Sequence, residues 1–502
     1  MSTKSNADKS EYATLNRWVA EADHLLLQNN PNGAMALYNR VLAQVPEHFD
    51  ALIACGRALK ELKQYEFALA HFDYAVALQP ESMFGYHYRA LVYHDAKRFD
   101  EAIRDHQRAL LLDPNSVFTC LNLANTFAEL DRFQEALEFY NYVLELSPSY
   151  AMAYNNRGNL YLDHGFIQEA LQDYASAAEI EPECTRFRWN QALMHLLLGE
   201  YEQGWPLYEA GMGIAGFARG LRKQSSKPEW SGQSGVSGKR VLLYAEQGLG
   251  DTIQFCRYAS IVAALGAQVI LEVQPALVNL LQTLQPQYGG LPFKIVAQGE
   301  GFDEYDVHTP LMSLPMIFNT RIDSIPAETP YLYASQQQVS SSLAAHARCP
   351  RIGLVWSGSS THNNDHRRSL ALVQLMPLLQ LPYEFHCLQK EIRPDDAALL
   401  GDIPELIVHQ QRICDFTDTA ALIDAMDIII SVDTSVAHLA GAMGKPLWIL
   451  LPFVPDYRWM LHRQDTPWYP QAKLFRQAEV GDWQSVVEQV TISLRALFAE
   501  VQ

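Results

Sequence analysis

The sequence predicts an all-α solenoid followed by two Rossmann-like α/β halves. Three observations carry this. Pro46, Pro80, Pro114, Pro148 and Pro182 recur every 34 residues. A fixed period of this length marks stacked helix–turn–helix units and cannot come from one globular core. From Gly211 to Gly238 the helical pattern stops in a Gly- and Ser-rich stretch full of turn signals. Beyond it, short apolar runs alternate with amphipathic segments, which is the pattern of βαβ units.

Alignment on the prolines brings other positions into phase. Ala34, Ala68, Ala102, Ala136 and Ala170 lie twelve residues before each proline. Tyr38, Phe72, His106, Tyr140 and Tyr174 lie eight before, and Val41, Ala75, Ala109, Val143 and Ala177 five before. Small residues let antiparallel helices approach, an aromatic fills the gap to the next helix, and proline ends the second helix. Gly56, Ala90, Ala124 and Gly158 mark the matching contact on first helices. These landmarks resemble the tetratricopeptide (TPR) repeat. A degraded sixth unit follows with Trp189, Gly199, Tyr201 and Tyr208, as expected of a terminal repeat. The resemblance implies a groove that binds a peptide or protein partner. Asn122, Asn125, Asn155, Asn156 and Asn159 fall on first helices and are either clamps for an extended peptide backbone or ordinary polar surface.

The predicted organisation is a solenoid of five to six repeats over 12–211 and a linker over 212–238. A first Rossmann-like half at 239–345, a second at 346–480 and a C-terminal helix at 481–502 complete it. In the first half KRVLLYAE reads as a buried strand, Gly248 to Asp251 as a tight turn, TIQFCRYASIVAALG as one amphipathic helix and AQVILEV as the next strand. In the second, RIGLVWSG, YEFHCLQ, ELIVHQ, DIIISVDTS and KPLWILLP read as strands, with VAHLAGAMG as a helix. Ligands of open parallel sheets sit beyond the carboxyl ends of the strands. Attention therefore falls on 246–251, 357–368, 389–391 and 433–438.

Composition narrows the function classes. The 502 residues carry a net charge of −19, with 16 basic against 29 acidic residues up to Gly211 and 22 against 28 after it. An acidic solenoid argues against nucleic acid and anionic membranes as partners. No apolar run is long enough to span a bilayer. The N-terminal stretch lacks the apolar core of a secretory signal. Seven scattered cysteines, without a C-x-x-C pair, fit free thiols in a reducing cytoplasm. A cytoplasmic protein without a bound cofactor or metal is therefore expected.

The segment SVDTSVAHLAGAMGKPLWIL resembles the nucleotide-sugar segment of the heptosyltransferase-like (family 9) glycosyltransferases. The Gly250-Asp251 turn resembles that family's first glycine loop, and WSGSSTHNNDHRRSL its second-half opening. The domain order resembles that of the O-linked N-acetylglucosamine transferases. The resemblance covers roughly 239–480 and implies two Rossmann halves facing a cleft, the GT-B architecture. It further implies sugar transfer from a nucleotide-sugar, with Asp251 as the base that activates the acceptor. The first loop, EQGLGDTIQF, is longer than the family's, and the 363–369 region is longer and more basic.

Transfer needs a stabilised leaving diphosphate, a deprotonated acceptor hydroxyl and a site that tolerates a cationic sugar. Thr434, Ser435 and the following helix start fit the phosphates. Arg367 or Arg368, with Arg368 preferred, adds a bidentate cation, and Lys390 a further one. Gly248, Gly250, Ser357, Gly358 and Gln389 complete the expected donor-side lining. Asp433 either holds a ribose hydroxyl or fixes its own turn. His438 either meets the donor or braces the helix, and Asp251 is either base or helix cap. Asp303 to Asp306 reads as a surface loop, and no D-x-D follows a strand, so no metal is called for. His308, His362, His366 and His386 are scattered in sequence and form a site only if the fold gathers them. Trp356 and Trp459 either stack on a ligand or pack. The alternative to a transferase is a peptide-binding scaffold with an inactive C-terminal half.

Overall fold

The computed structural model describes residues 2–211, 227–287, 291–300, 304–335, 349–361 and 364–499. It forms two compact units, Met1–Tyr161 and Leu162–Gln502. The helical solenoid contributes α1 (Ser2–Leu27), α2 (Pro31–Gln44), α3 (Phe49–Glu61), α4 (Tyr65–Leu78), α5 (Met83–Asp95) and α6 (Phe99–Leu112). It continues through α7 (Val117–Glu129), α8 (Phe133–Leu146), α9 (Ala151–Asp163), α10 (Ile167–Ile180), α11 (Thr185–Leu197) and α12 (Tyr201–Gly211).

Each of the five periodic prolines stands at the second residue past α2, α4, α6, α8 or α10. The in-phase alanines, aromatics and valines are fully or almost fully buried. A Cβ on Gly56 would come within 2.6 Å of the Phe72 ring, so the aromatic of one helix seats on the bare backbone of its neighbour. A sixth periodic feature is purely conformational. Asn29, Lys63, Lys97, Asp131, Gly165 and Gly199, again 34 apart, hold φ between +57° and +80° at the turn inside each helical pair. This left-handed residue ends the first helix. Four of the six are not glycine, so the position has no common side-chain signature to read.

His106 replaces the buried aromatic of the third unit. It is fully enclosed, and neither ring nitrogen finds a hydrogen-bond partner among the described residues. Burial pushes its titration well below the ordinary histidine value, helped by His87 and His94.

The α/β part holds two all-parallel sheets. The first is built from β1 (Arg240–Tyr244), β2 (Gln268–Val273), β3 (Lys294–Ala297) and β4 (Val307–Pro310), in the order β3-β2-β1-β4. The second is built from β5 (Arg351–Val355), β6 (Glu384–Cys387), β7 (Leu406–Val408), β8 (Ile428–Val432), β9 (Leu447–Leu451) and β10 (Ala472–Arg476). Its order is β10-β9-β8-β5-β6-β7. The strand order reverses between β1 and β4 and again between β5 and β8. These switch points open crevices at the carboxyl ends of the sheets. β3, β4 and β10 were not expected from the sequence, because KIVA, VHTP and AKLFR are too short or too mixed to stand out.

The helix expected across 252–266 is two helices, Leu249–Phe255 and Tyr258–Ala264. The buried Arg257 donates Nε–H to the Gln254 carbonyl at 2.8 Å, the acceptor that a continuous helix would give to Tyr258. Most of the expected linker, 212–226, lies outside the described residues. The rest is packed: Trp230 is buried, its N–H donates to the His308 carbonyl at 2.7 Å, and Val236 is buried too. The C-terminal helix, Trp483–Leu497, buries Trp483, Val486, Val487, Val490 and Leu494 in the core of the second sheet.

The sixth repeat is part of the second unit's core. Trp205 donates its indole N–H to the Thr320 carbonyl at 3.1 Å, and Trp468 donates to Tyr201 Oη at 3.2 Å. Tyr208 and Trp205 both set their rings edge-on to Tyr457.

Candidate active site

The turn after β1 and the segment after β8 meet at the carboxyl edges of the two sheets. Gly250 makes this possible. A Cβ there would come 2.9 Å from His438 Cδ2 and 3.6 Å from Ser435 Cα, so only a glycine admits the helix Ser435–Ala442 so closely. The fold therefore brings Gly248, Gly250 and Asp251 from the first half to Asp433, Thr434, Ser435 and His438 from the second.

Asp251 opens the helix Leu249–Phe255. Its Oδ2 accepts the Gly248 N–H at 2.9 Å, so it acts as a helix-start residue. Its Oδ1 accepts from Arg458 Nη2. Burial raises its carboxyl above the usual range, the Arg458 guanidinium pulls it back down, and Asp456 adds to the rise. Arg458 was not singled out in the sequence. It also donates to Gln254 Oε1 at 2.6 Å and Asp456 Oδ1 at 2.8 Å.

His438 is buried, with Nδ1 3.0 Å from Tyr469 Oη and its ring stacked on Trp459. Burial, and then Arg458, Arg257 and Arg368, keep it neutral. Its Nε2 faces Asp433 Oδ1 at 3.8 Å, too long for a direct hydrogen bond. Asp433 itself is pushed up to about 6 by burial and by Asp456, against the pull of Arg368. Thr434 caps the helix Ser435–Ala442 without a side-chain hydrogen bond to its first N–H groups, and residues 433–436 are only half-buried.

Arg368 donates Nη1–H to the Asp433 carbonyl at 3.0 Å and lies against Gly358, where a Cβ would meet Nη2 at 2.6 Å. Its Nε has no hydrogen-bond partner among the described residues. Gln389 holds the loop after β5. Its Oε1 accepts the N–H groups of Trp356 and Ser357 at 2.7 and 2.9 Å, and its Nε2 donates to Ser357 Oγ at 3.0 Å. Ser369 Oγ accepts the Gly358 N–H at 3.0 Å and donates to Asp365. Gln389 and Ser357 thus shape the loop that presents Gly358.

The two other cations have partners elsewhere. Arg367 pairs with Asp163 at the end of α9, and Lys390 donates to the Cys414 carbonyl at 2.7 Å. The histidines are not gathered. His308 sits on β4, with Nε2 3.2 Å from the Lys227 carbonyl. His386 lies on β6 between His409 and Glu384, and His366 is exposed beside Arg367. His362 lies outside the described residues. Trp356 and Trp459 are fully buried packing residues. Of the expected surface loop, Asp303 lies outside the described residues, and Asp306 is tied to the Arg240 backbone and guanidinium at the start of β1.

In the first unit, Asn125 Oδ1 accepts from Tyr140 at 2.7 Å and from Asn156 Nδ2 at 3.0 Å. Asn122 donates to the Phe118 carbonyl at 2.8 Å, and Asn159 is exposed. Asn155 is 3% exposed and donates to Asn156, so it packs the solenoid and presents nothing to a partner. That corrects its expected role as a clamp.

Asp456, Arg458 and Tyr469 escaped the sequence reading. The signal was available for the first two. VPDYRW follows the apolar run of β9, and polar residues past a strand's carboxyl end are where ligands bind in such sheets. Tyr469 reaches His438 from a distant loop, which no local pattern marks.

Comparison with known families agrees with this architecture. Residues 124–165 match a TPR repeat model, and residues 19–83 and 155–211 match a tetratricopeptide repeat model. Residues 413–455 match the model of glycosyltransferase family 9 (heptosyltransferase). Segments that match TPR repeat models thus precede one that matches the family 9 model, and that last segment contains Asp433 to His438. Among curated proteins, it is 27% identical over 327 residues to Protein FlbA of Caulobacter vibrioides, matching 61% of this chain. The match spans 54% of that relative, about half its length. Solved structures similar to it include TTC0263, a TPR protein of Thermus thermophilus. That protein is 22% identical and matches 36% of this chain and 99% of its own, with a TM-score of 0.34. Another is MamA from Desulfovibrio magneticus, 15% identical over 34% of this chain and 96% of its own, with a TM-score of 0.30. No helix among the described residues is long and apolar enough to cross a membrane.

Proposed function

We propose that this chain is a GT-B glycosyltransferase that moves a sugar from a nucleotide-sugar to an acceptor recruited by the TPR groove, with a protein as the acceptor class. The observation that carries the reading is the meeting of Gly250 with His438 and Ser435. It sets a carboxylate from one sheet beside the family 9 segment of the other. The half-buried start of the helix Ser435–Ala442 and the Arg368 guanidinium serve the departing diphosphate without a metal ion. Asp433 takes the ribose hydroxyls. Asp251 removes the acceptor proton as the bond to the sugar forms. A cavity of about 540 Å³ between Gly165–Glu169 and Met460–Arg463 offers room for the acceptor beside the loop that carries Trp459.

The test is thermal unfolding of the full chain against a panel of nucleotide-sugars and free nucleotides. A ligand at 100 times its Kd stabilises its domain by about 2.7 kcal/mol. Arg368→Ala should remove most of the shift, since a charge-assisted contact contributes about 1.5–3 kcal/mol. Asp251→Ala should keep the shift and lose transfer. If no nucleotide moves the transition, the reading as a transferase fails and the scaffold alternative takes its place.

A further inference from the structure

We propose that Arg458 is a positioning residue that aims the Asp251 carboxylate across the cleft between the two α/β halves. This rests on the reading of Asp251 as the acceptor-activating base.

Arg458 comes from the loop after β9 in the second half, and Asp251 and Gln254 belong to the first. The guanidinium is almost fully buried and spends its edge on three acceptors: Asp251 Oδ1, Gln254 Oε1 at 2.6 Å and Asp456 Oδ1 at 2.8 Å. Two of these stand three residues apart on the helix Leu249–Phe255, on one face of that helix. The guanidinium plane is set by rings, with the carbon 4.4 Å from the Tyr457 centroid and 5.6 Å from that of Phe255. A simple ion pair between the halves would need only one of these contacts. Here five neighbours fix both the plane and the rotation of the fork. With Oδ2 held by the Gly248 N–H, both oxygens of Asp251 are directed by fixed donors.

Several groups act on Asp251 in this pocket. Arg458, Asp456 and Tyr457 face it from the loop after β9, and Tyr208 from α12. The helix Ser435–Ala442, packed against the Asp251 turn, brings neutral His438. Arg458 is the one cation among these groups, so its removal has a signed consequence. The neutral acid is favoured, and Asp251 titrates at higher pH.

The experiment is a carboxyl ¹³C titration of the full chain labelled at aspartate. The resonance missing from D251N identifies Asp251. In R458Q its midpoint should rise, and in R458K it should fall between wild type and R458Q, because an ammonium keeps the charge but cannot fork to three acceptors. An unchanged or lowered midpoint in R458Q overturns the proposal. If R458Q does not fold, R458K decides alone: a raised midpoint supports positioning, and a wild-type midpoint reduces Arg458 to a nearby charge and overturns it. Retained nucleotide-sugar turnover in D251N would sink the base reading while leaving the Arg458 test intact.

Discussion

At the scale of residues, the site is a set of charges whose environments pull against their solution behaviour. Asp433 is the clearest case. Burial and Asp456 hold its folded titration near 6, above an ordinary aspartate. Between the unfolded value and about 6, the folded state binds the extra proton, so stability falls as pH rises through that window and stays reduced above it. Asp433→Asn should therefore raise the melting temperature at pH 7 and leave it little changed near pH 4. An equal gain at both pH values would mean that the carboxyl is not strained by ionisation. This cost at neutral pH is what a ligand-holding carboxylate in a cleft would carry. The sequence marks Asp433, Ser435, His438, Asp251 and Arg368 as candidates because each follows an apolar strand run or sits in a recognisable segment. It offered no geometric reason to separate Arg368 from Arg367; the fold turns one toward Asp433 and the other toward Asp163.

Among elements, the sixth repeat has changed its occupation. α11 and α12 keep the solenoid's helical pair, but their aromatics seal against the α/β core. Trp205 is 3% exposed and wedged among Tyr201, Tyr208 and Tyr457. Tyr208 Oη accepts from Gln247 Nε2 at 2.6 Å, one residue before the Gly248 turn. α12 thus supports the loop that presents Asp251. Trp205→Ala should cost about 3–5 kcal/mol, the usual range for a buried tryptophan. A chemical denaturation midpoint that barely moves would show that the seal is dispensable. This change of role was invisible in the periodic pattern, because the residues that seal the core are ordinary repeat aromatics. Their targets, Tyr457 and Trp468, lie some 250 residues away.

For the whole molecule, the compact units divide at Tyr161 and Leu162, inside α9, while the helical repeats run on to Gly211. The last repeats therefore belong to the same compact unit as the α/β halves. A fragment of residues 150–502, which keeps α9 whole, should fold and show the same nucleotide-sugar stabilisation as the full chain, while losing transfer to a protein acceptor. A cut at 212, which strips α11 and α12 from their aromatic partners, should fail to give a cooperative unfolding transition. If the 212 fragment instead unfolds cooperatively with an unaltered ligand shift, the sixth repeat is a spacer after all.

Periodicity marked the solenoid and its five proline-ended units, and the alternation of apolar runs with amphipathic segments marked the two α/β halves after it. Each of those is a local property: a helix end, a buried alanine or an apolar strand is written in residues next to one another. The family 9 segment was legible for the same reason, since Asp433 to Pro446 is one continuous turn, helix and strand entry. What only the tertiary structure decided is everything that depends on approach between distant segments. Gly250 admitting His438, Arg458 reaching Asp251 and Gln254, and Tyr208 bracing Gln247 are all of this kind. So is the break of a predicted helix by the Arg257 side chain. Contacts of this kind are set by how sheets and helices pack, and single-chain spacing carries no record of them.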